Sequence, residues 1–410
     1  MAPMTPEAVP TVTLDDILAA REMLTGIVEV SPIEESRSLA ALAGVPVYLK
    51  CENLQRTGSF KLRGAYVRIA RLNAEEQQRG VVAASAGNHA QGVALAATLL
   101  GIRSTVFMPQ GVPIPKEKAT RQYAADVKLV GSSIDAALAA ARDFAESTGA
   151  VFIHPYDHRD IVAGQGTIGV ELIEQVPDCA TVLVAVGGGG LAAGIATAVH
   201  ALRPDVKVVG VQAENAAAYP PSLAAGRPLK VRLGATMADG IALSQPGDVP
   251  FAALQRHLDR LLTVSEESMS QALLMVLERA KMVVEPSGAA AVAALLERPG
   301  AFEGPVVVVL SGGNIDPLLL MRVIRHGLAA AGRYLAFRVR IPDRPGELFR
   351  LLGQLAELQV NILDVAHERT SAHLHVDEVA VALQVETRGE DDCERVLKRL
   401  REVGYPVSVA

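Results

Sequence analysis

Short β-branched runs alternate with alanine-rich amphipathic stretches through most of this chain, and no other feature restricts its fold as much. The runs Val47–Lys50, Val81–Ser85, Ser104–Met108, Val127–Val130, Val151–His154, Thr181–Val186, Val206–Val211 and Val306–Leu310 have the length and composition of buried strands. Between them, Arg63–Gln77, Asn88–Leu100, Pro115–Ala124, Ile134–Ser147 and Leu191–Leu202 carry helical patterns. Strands separated by helices make βαβ units, and hence an α/β fold with parallel sheets and helices on both faces. Sites in such folds gather at the carboxyl ends of the strands, where helix N-termini also point.

Near residue 332 the character changes. From Phe337 to Ala410, 23 of 74 residues are charged, against 20% of the whole chain, and Ala329-Ala330-Ala331-Gly332 precedes the shift as a hinge. The tail reads as strand (Leu335–Ile341), helix (Gly346–Leu358) and strand (Asn361–Arg369). It continues as strand (Val376–Val385), helix (Asp391–Glu402) and strand (Tyr405–Val409). This βαββαβ order is a ferredoxin-like unit of its own. The expected division is therefore 1–332 and 335–410, with a small subdomain at about 52–158 inside the first part.

Composition removes several function classes. A formal net charge of -6, with no Lys/Arg run interleaved with aromatics, argues against a nucleic-acid-binding face. Cys51, Cys179 and Cys393 lie far apart and form no CxxC pair, which fits reduced thiols in the cytoplasm. The early acids Glu7, Asp15 and Asp16, with no basic-then-apolar segment, give no sign of a signal peptide. Thr181–Leu202 runs 22 residues without a charge, the length of a membrane span. Its central Gly187-Gly188-Gly189-Gly190 would break a helix, so strand, turn and helix is the better reading and no membrane contact is expected.

Four segments carry candidate chemistry. In Gly58-Ser59-Phe60-Lys61-Leu62-Arg63, Lys61 opens a helix between apolar neighbours, and both features lower an ammonium's pKa, as an amine nucleophile requires. Ser85-Ala86-Gly87-Asn88-His89 follows a strand, so the free N–H groups of the next helix can hold a carboxylate. The tetrad Gly187–Gly190 follows another strand, and its N–H groups can converge on a phosphate. Ser311-Gly312-Gly313-Asn314 ends a third, and Glu285-Pro286-Ser287-Gly288 opens a helix. Each has a plainer reading: a surface lysine, a helix start capped by Asn88, a turn, a cap. Gly188-x-Gly190-x-x-Ala193 also meets the loose dinucleotide pattern, though the strand Val206–Val211 has no acid at its tip and Glu214 is the nearest.

Taken in this order, the segments resemble the fold type II (β-family) pyridoxal-phosphate enzymes, specifically the threonine/serine dehydratases, over roughly residues 10 to 330. That resemblance implies two parallel-sheet αβα subdomains and a catalytic pair, Lys61 and Ser85, with Lys61 bearing the cofactor. It implies that Phe60 lies beside the ring and Asn88 bonds the ring hydroxyl. Gly187, Gly188, Gly189, Gly190 and Leu191 would cradle the phosphate, and Ser311 would face the pyridine nitrogen. Ser85, Ala86, Gly87, Asn88 and His89 would clamp the substrate carboxylate. The tail resembles an ACT regulatory domain, with Asp343, Gly346 and Asn361 as its candidate effector contacts, isoleucine as first effector, and a homo-oligomer (dimer or tetramer) as assembly. The activity implied is deamination of threonine, with serine as a side substrate. Serine racemases share the motifs. However, Gln212–Ala218 holds one acid, Glu214, where animal serine racemases place carboxylates for a divalent metal, so no metal site is expected. A catalytically silent amino-acid sensor is the reading from another class, and the presence of Lys61, Asn88, Ser311 and the tetrad speaks against it.

Overall fold

All eight expected strands form, and their pairing divides them between two sheets. The computed structural model describes residues 11–369 and 375–409; Glu7, one of the early acids, lies outside them. The chain divides into two compact units, 1–320 and 321–410, the division falling inside the helix Pro317–Ala330.

In the first unit the smaller sheet runs Asp126–Leu129, Ser104–Met108, Val81–Ala84, Val151–Phe152, all parallel. The larger runs Ile33–Glu35, Val47–Lys50, Val306–Val309, Thr181–Ala185, Lys207–Ala213, Arg260–Val264. It is parallel except for its first strand. The two edge strands were not expected from the sequence: Ile33–Glu35 is three residues with two acids, and Arg260–Val264 opens on a charge. Central strands behave as a sheet covered on both faces requires, and all four valines of Val306–Val309 are fully buried. The uncharged stretch 181–202 is a strand and then the helix Gly190–Leu202. Among the described residues no helix is long and apolar enough to cross a membrane.

Expected helix Arg63–Gln77 is two helices, Lys61–Ala70 and Ala74–Arg79. Asn73 caps the second, its side chain accepting from Glu76 N while the Glu76 carboxylate accepts from Asn73 N. That reciprocal pair satisfies donors a continuous helix would have used internally.

The start of the helix Lys61–Ala70 is fastened from below by buried ions. The Arg63 guanidinium donates to Glu52 and to both oxygens of Glu171, at 2.6 to 3.0 Å. Lys50 Nζ donates to Glu171 Oε2 at 2.7 Å, to Gln175 Oε1 and to the Ser31 carbonyl. All four ions are buried, two of each sign, so the cluster is neutral.

The second unit has the expected βαββαβ order, with the sheet arranged Asn361–Glu368, Glu378–Glu386, Tyr334–Pro342, Val407–Val409, all antiparallel. The helices Glu347–Glu357 and Glu390–Glu402 bring Leu351, Leu355, Val396 and Leu400 onto Phe337, Val339, Val381 and Leu383.

Candidate active site

Three strands of the first unit end close to one another in chemistry as well as in space. Val81–Ala84 delivers Ser85–His89, Thr181–Ala185 delivers Gly187–Gly190, and Val306–Val309 delivers Ser311–Asn314. Lys61, at the head of its own helix, lies among them. Its Nζ donates to the Pro155 carbonyl at 2.9 Å and sits 5.0 Å from the Phe60 ring centroid. Burial pushes this amine down to about 8, with Glu285 pulling the other way. The Phe60 N–H donates to the Ser311 carbonyl, and Ser59 bridges to Gly312, so the Lys61 and Ser311 segments are stitched together.

Pro155 leads directly into Tyr156, which lies against the glycine tetrad. A Cβ on Gly190 would come 3.1 Å from Tyr156 Cβ, and one on Gly188 would overlap the Tyr156 ring. Gly189 has φ +100°, a left-handed value, and a Cβ there would run into the Tyr219 hydroxyl, which donates to the Gly188 carbonyl at 3.1 Å. From Gly187 to Ala192 no backbone N–H finds a backbone acceptor among the described residues. The helix from Gly190 thus presents a row of free donors backed by its dipole, the arrangement that holds a phosphate. Leu191 is buried in this first turn.

The serine loop offers a second set of donors. Ser85 Oγ accepts from Gly87 N at 3.1 Å, and the N–H groups of Ala86, Asn88 and His89 have no acceptor among the described residues. Asn88 is not the helix cap: Gly87 occupies that position without a side-chain bond, and Asn88 is the first helical residue. Its amide is used laterally instead. Nδ2 donates to Glu285 Oε1 at 2.6 Å, and Oδ1 accepts from Asn314 Nδ2 at 2.8 Å. One Asn88 N–H remains for a ligand. The His89 ring is tied to the Ile153 carbonyl at 2.8 Å, and burial drives it down to about 3, so it is neutral and its side chain is already engaged. Ser311 is buried, and its hydroxyl makes no hydrogen bond among the described residues.

Sequence reasoning treated Glu285 as part of a helix opening, but it makes no cap bond. Its buried carboxylate turns to Asn88, 197 residues away in the chain. Burial raises its pKa to about 7, Asp239 adding to the rise while Lys116, Asn88 and Lys61 oppose it. No local pattern marks such a role, because the partner comes from another sheet.

In the second unit Asp343 and Gly346 are not brought together with Asn361. Asn361 pairs with Glu386, at the Tyr334 end of the sheet, while Asp343 follows Pro342, which pairs with Glu378 at the other end. The intervening strand Tyr334–Pro342 spans about 27 Å at the usual rise. Gly346 has φ +90° and opens the helix Glu347–Glu357 without a side-chain cap.

A lysine with a lowered pKa beside free N–H donors in a glycine cradle fits a group that carries both an aldehyde and a phosphate. Comparison with known proteins agrees. The family described as "Pyridoxal-phosphate dependent enzyme" matches residues 24–312. An L-threonine ammonia-lyase of Thermotoga maritima is 44% identical over 398 residues, 97% of this chain and 99% of that one. A catabolic L-threonine dehydratase of Escherichia coli strain K12 is 40% identical over 310 residues, 74% of this chain and 94% of its own. Among crystal structures, a threonine deaminase from the organism abbreviated T.th. superposes with a TM-score of 0.71 at 41% identity, covering 74% of this chain and 99% of that one. Maize serine racemase gives 0.73 at 33% identity, covering 78% and 99%.

Proposed function

The chain belongs to the pyridoxal-phosphate-dependent enzymes, and from that premise we propose that it converts L-threonine to 2-oxobutanoate and ammonia, with L-serine, giving pyruvate, as a side substrate. The observation that carries this reading is the meeting of Lys61 with the unpartnered N–H row of Gly187–Ala192 through Pro155 and Tyr156.

Bound pyridoxal phosphate supplies an electron sink for charge that develops at the substrate α-carbon. The chain does the rest. The N–H groups from Gly187 to Leu191, with the helix dipole behind them, would hold the cofactor phosphate. By the family likeness, Phe60 and Asn88 would border the ring and the neutral Ser311 hydroxyl would face its nitrogen. A hydroxyl there supplies no strong acid, which favours elimination over transamination. Ser85 fixes the turn at Gly87, and the N–H groups of Ala86, Asn88 and His89 bind the substrate carboxylate. Lys61, poised near neutrality, takes the α-proton as general base. Loss of the β-hydroxyl as water, then hydrolysis of the resulting enamine's imine tautomer, balances the reaction: one water leaves, one is consumed, and ammonia departs.

By the same likeness, residues 1–332 form the catalytic part and 335–410 an ACT domain that binds an amino acid, isoleucine first. The separation of Asp343 and Gly346 from Asn361 within one copy favours a site shared by two paired copies, and hence a homo-oligomer. The protein is assigned to the cytoplasm. A steady-state assay of 2-oxo acid from threonine and serine tests the activity; holoenzyme that makes no 2-oxobutanoate sinks it. Likeness to maize serine racemase supports a second reading, which D-serine formation would reveal. For the tail, unchanged isoleucine response after truncation at Gly332 would remove it as the sensor.

A further inference from the structure

The two sheets of the first unit are joined across the site by a contact that the chemistry above does not use. Lys116, in the helix Ile114–Gln122 beside the smaller sheet, places Nζ 2.8 Å from Asp239 Oδ2. Asp239 opens the short turn Asp239–Ile241 on the larger-sheet side. The pair is unequal in its surroundings: the lysine side chain is 12% exposed and the aspartate 58%. An ammonium drawn in that far while its partner stays wet is reaching across, not lying on a surface.

What it reaches is the wall of the site. A Cβ on Gly187 would come 3.0 Å from Ile241 Cα and 3.3 Å from the Gly240 carbonyl. One on Gly240 would come 2.9 Å from Ser287 Oγ and 3.7 Å from Glu285 Oε1. The turn therefore rests on the first glycine of the tetrad and on the head of the helix Pro286–Glu297 at once. Behind it, Met237 N donates to Glu266 Oε2 at 2.8 Å, which anchors the turn to the larger-sheet side. Lys116 lies on the other side of the cleft. Its helix follows the strand Ser104–Met108, the neighbour of Val81–Ala84, from which the Ser85–His89 loop emerges. Whatever fixes Lys116 relative to Asp239 also fixes the serine loop relative to the glycine loop.

We propose that Lys116 and Asp239 are positioning residues, whose ion pair holds the smaller-sheet lobe against the larger one so that the serine loop meets the substrate carboxylate in register with the glycine loop that holds the cofactor phosphate. This rests on the reading of those loops as carboxylate and phosphate holders. A pair serving only as a surface contact would contribute little and would leave substrate affinity alone.

The test uses full-length holoenzyme with Lys116→Met, Asp239→Asn and the reversed pair Lys116→Asp/Asp239→Lys. Each single variant should raise KM for threonine about two- to fivefold, the range an ion pair of this exposure commands, with kcat changing less. The reversed pair should return KM to within about twofold of the parent, since the attraction is symmetric. Added salt should raise KM in the parent and the reversed pair and leave the singles unmoved. Hydrogen exchange gives an arm independent of turnover: amides of 114–122 and 237–241 should exchange faster in the singles and recover in the reversed pair. Single variants with parental KM and parental exchange would overturn the proposal, as would a folded reversed pair that behaves like the singles. If the holoenzyme fails to deaminate threonine at all, the activity reading falls, and the exchange arm still decides whether the Lys116–Asp239 pair holds the two lobes together.

Discussion

Replacing Arg63 by methionine removes one cation from a sealed cluster of four ions, and the structure allows the consequence to be sized. The guanidinium also donates to Thr167 Oγ1 at 3.1 Å and the Glu29 carbonyl at 3.3 Å, beyond its bonds to Glu52 and Glu171. Methionine fills much of the volume but leaves two carboxylates facing Lys50 alone, a net buried charge of one. Breaking a buried pair from one side costs about 3–5 kcal/mol, because the orphaned charge cannot reach water. Burial pushes the Glu171 carboxyl up, but Arg63 and Lys50 outweigh it and hold it below the usual carboxylate range. Its stabilisation is therefore present above the unfolded-state pKa and lost as pH falls through the folded one. In Arg63→Met the deficit should narrow at acid pH, where a proton neutralises the unpaired charge. Adding Glu52→Gln restores neutrality with the Lys50–Glu171 pair intact, so the double variant should recover about 1–3 kcal/mol. The chain has no tryptophan, so urea unfolding of the apoprotein is best followed by far-UV circular dichroism, taking the transition of the first unit. A loss under about 1 kcal/mol in Arg63→Met, or a further additive loss on adding Glu52→Gln, would refute the charge-balance argument.

Four further outcomes follow, three from the site and one from the second unit. Lys61→Ala should abolish turnover and the visible absorbance of bound cofactor while far-UV dichroism stays parental; retained absorbance and activity would remove Lys61 from its role. Gly189→Ala should destabilise by about 2–4 kcal/mol and weaken cofactor uptake, since the new Cβ meets both a positive φ and the Tyr219 hydroxyl. Gly346→Ala, at a similar φ with open space around it, should lose only about 1–2 kcal/mol, read from the urea transition of the second unit, which contains it. Finally, the neutral amine is the reactive form of Lys61, so the rate of cofactor capture by apoprotein should climb with pH to about 8 and level above it, as stopped-flow absorbance would read; a flat profile through that range would place the amine's titration elsewhere.

Sequence alone determined the parts whose causes are local. Valine runs of strand length, helical alanine stretches and the tetrad that interrupts residues 181–202 each carry their signal within a dozen residues, and the βαββαβ order of the tail did too. The split at Asn73 was also written locally, in Asn73-x-x-Glu76, and the apolar period running from Arg63 to Gln77 masked it. Edge strands such as Ile33–Glu35 were illegible because they owe their form to a neighbour, Val47–Lys50, and not to their own composition. The tertiary structure alone decided which polar groups meet. Asn88 looked like a cap and instead joins Glu285 to Asn314; Arg63 looked like part of a helix face and instead balances Glu52 and Glu171. Asp343 and Asn361, close in sequence terms, lie at opposite ends of one sheet. Period and turn chemistry act over a few residues, whereas a buried charge is stable only where the whole packing supplies its partner, and that partner can come from anywhere in the chain.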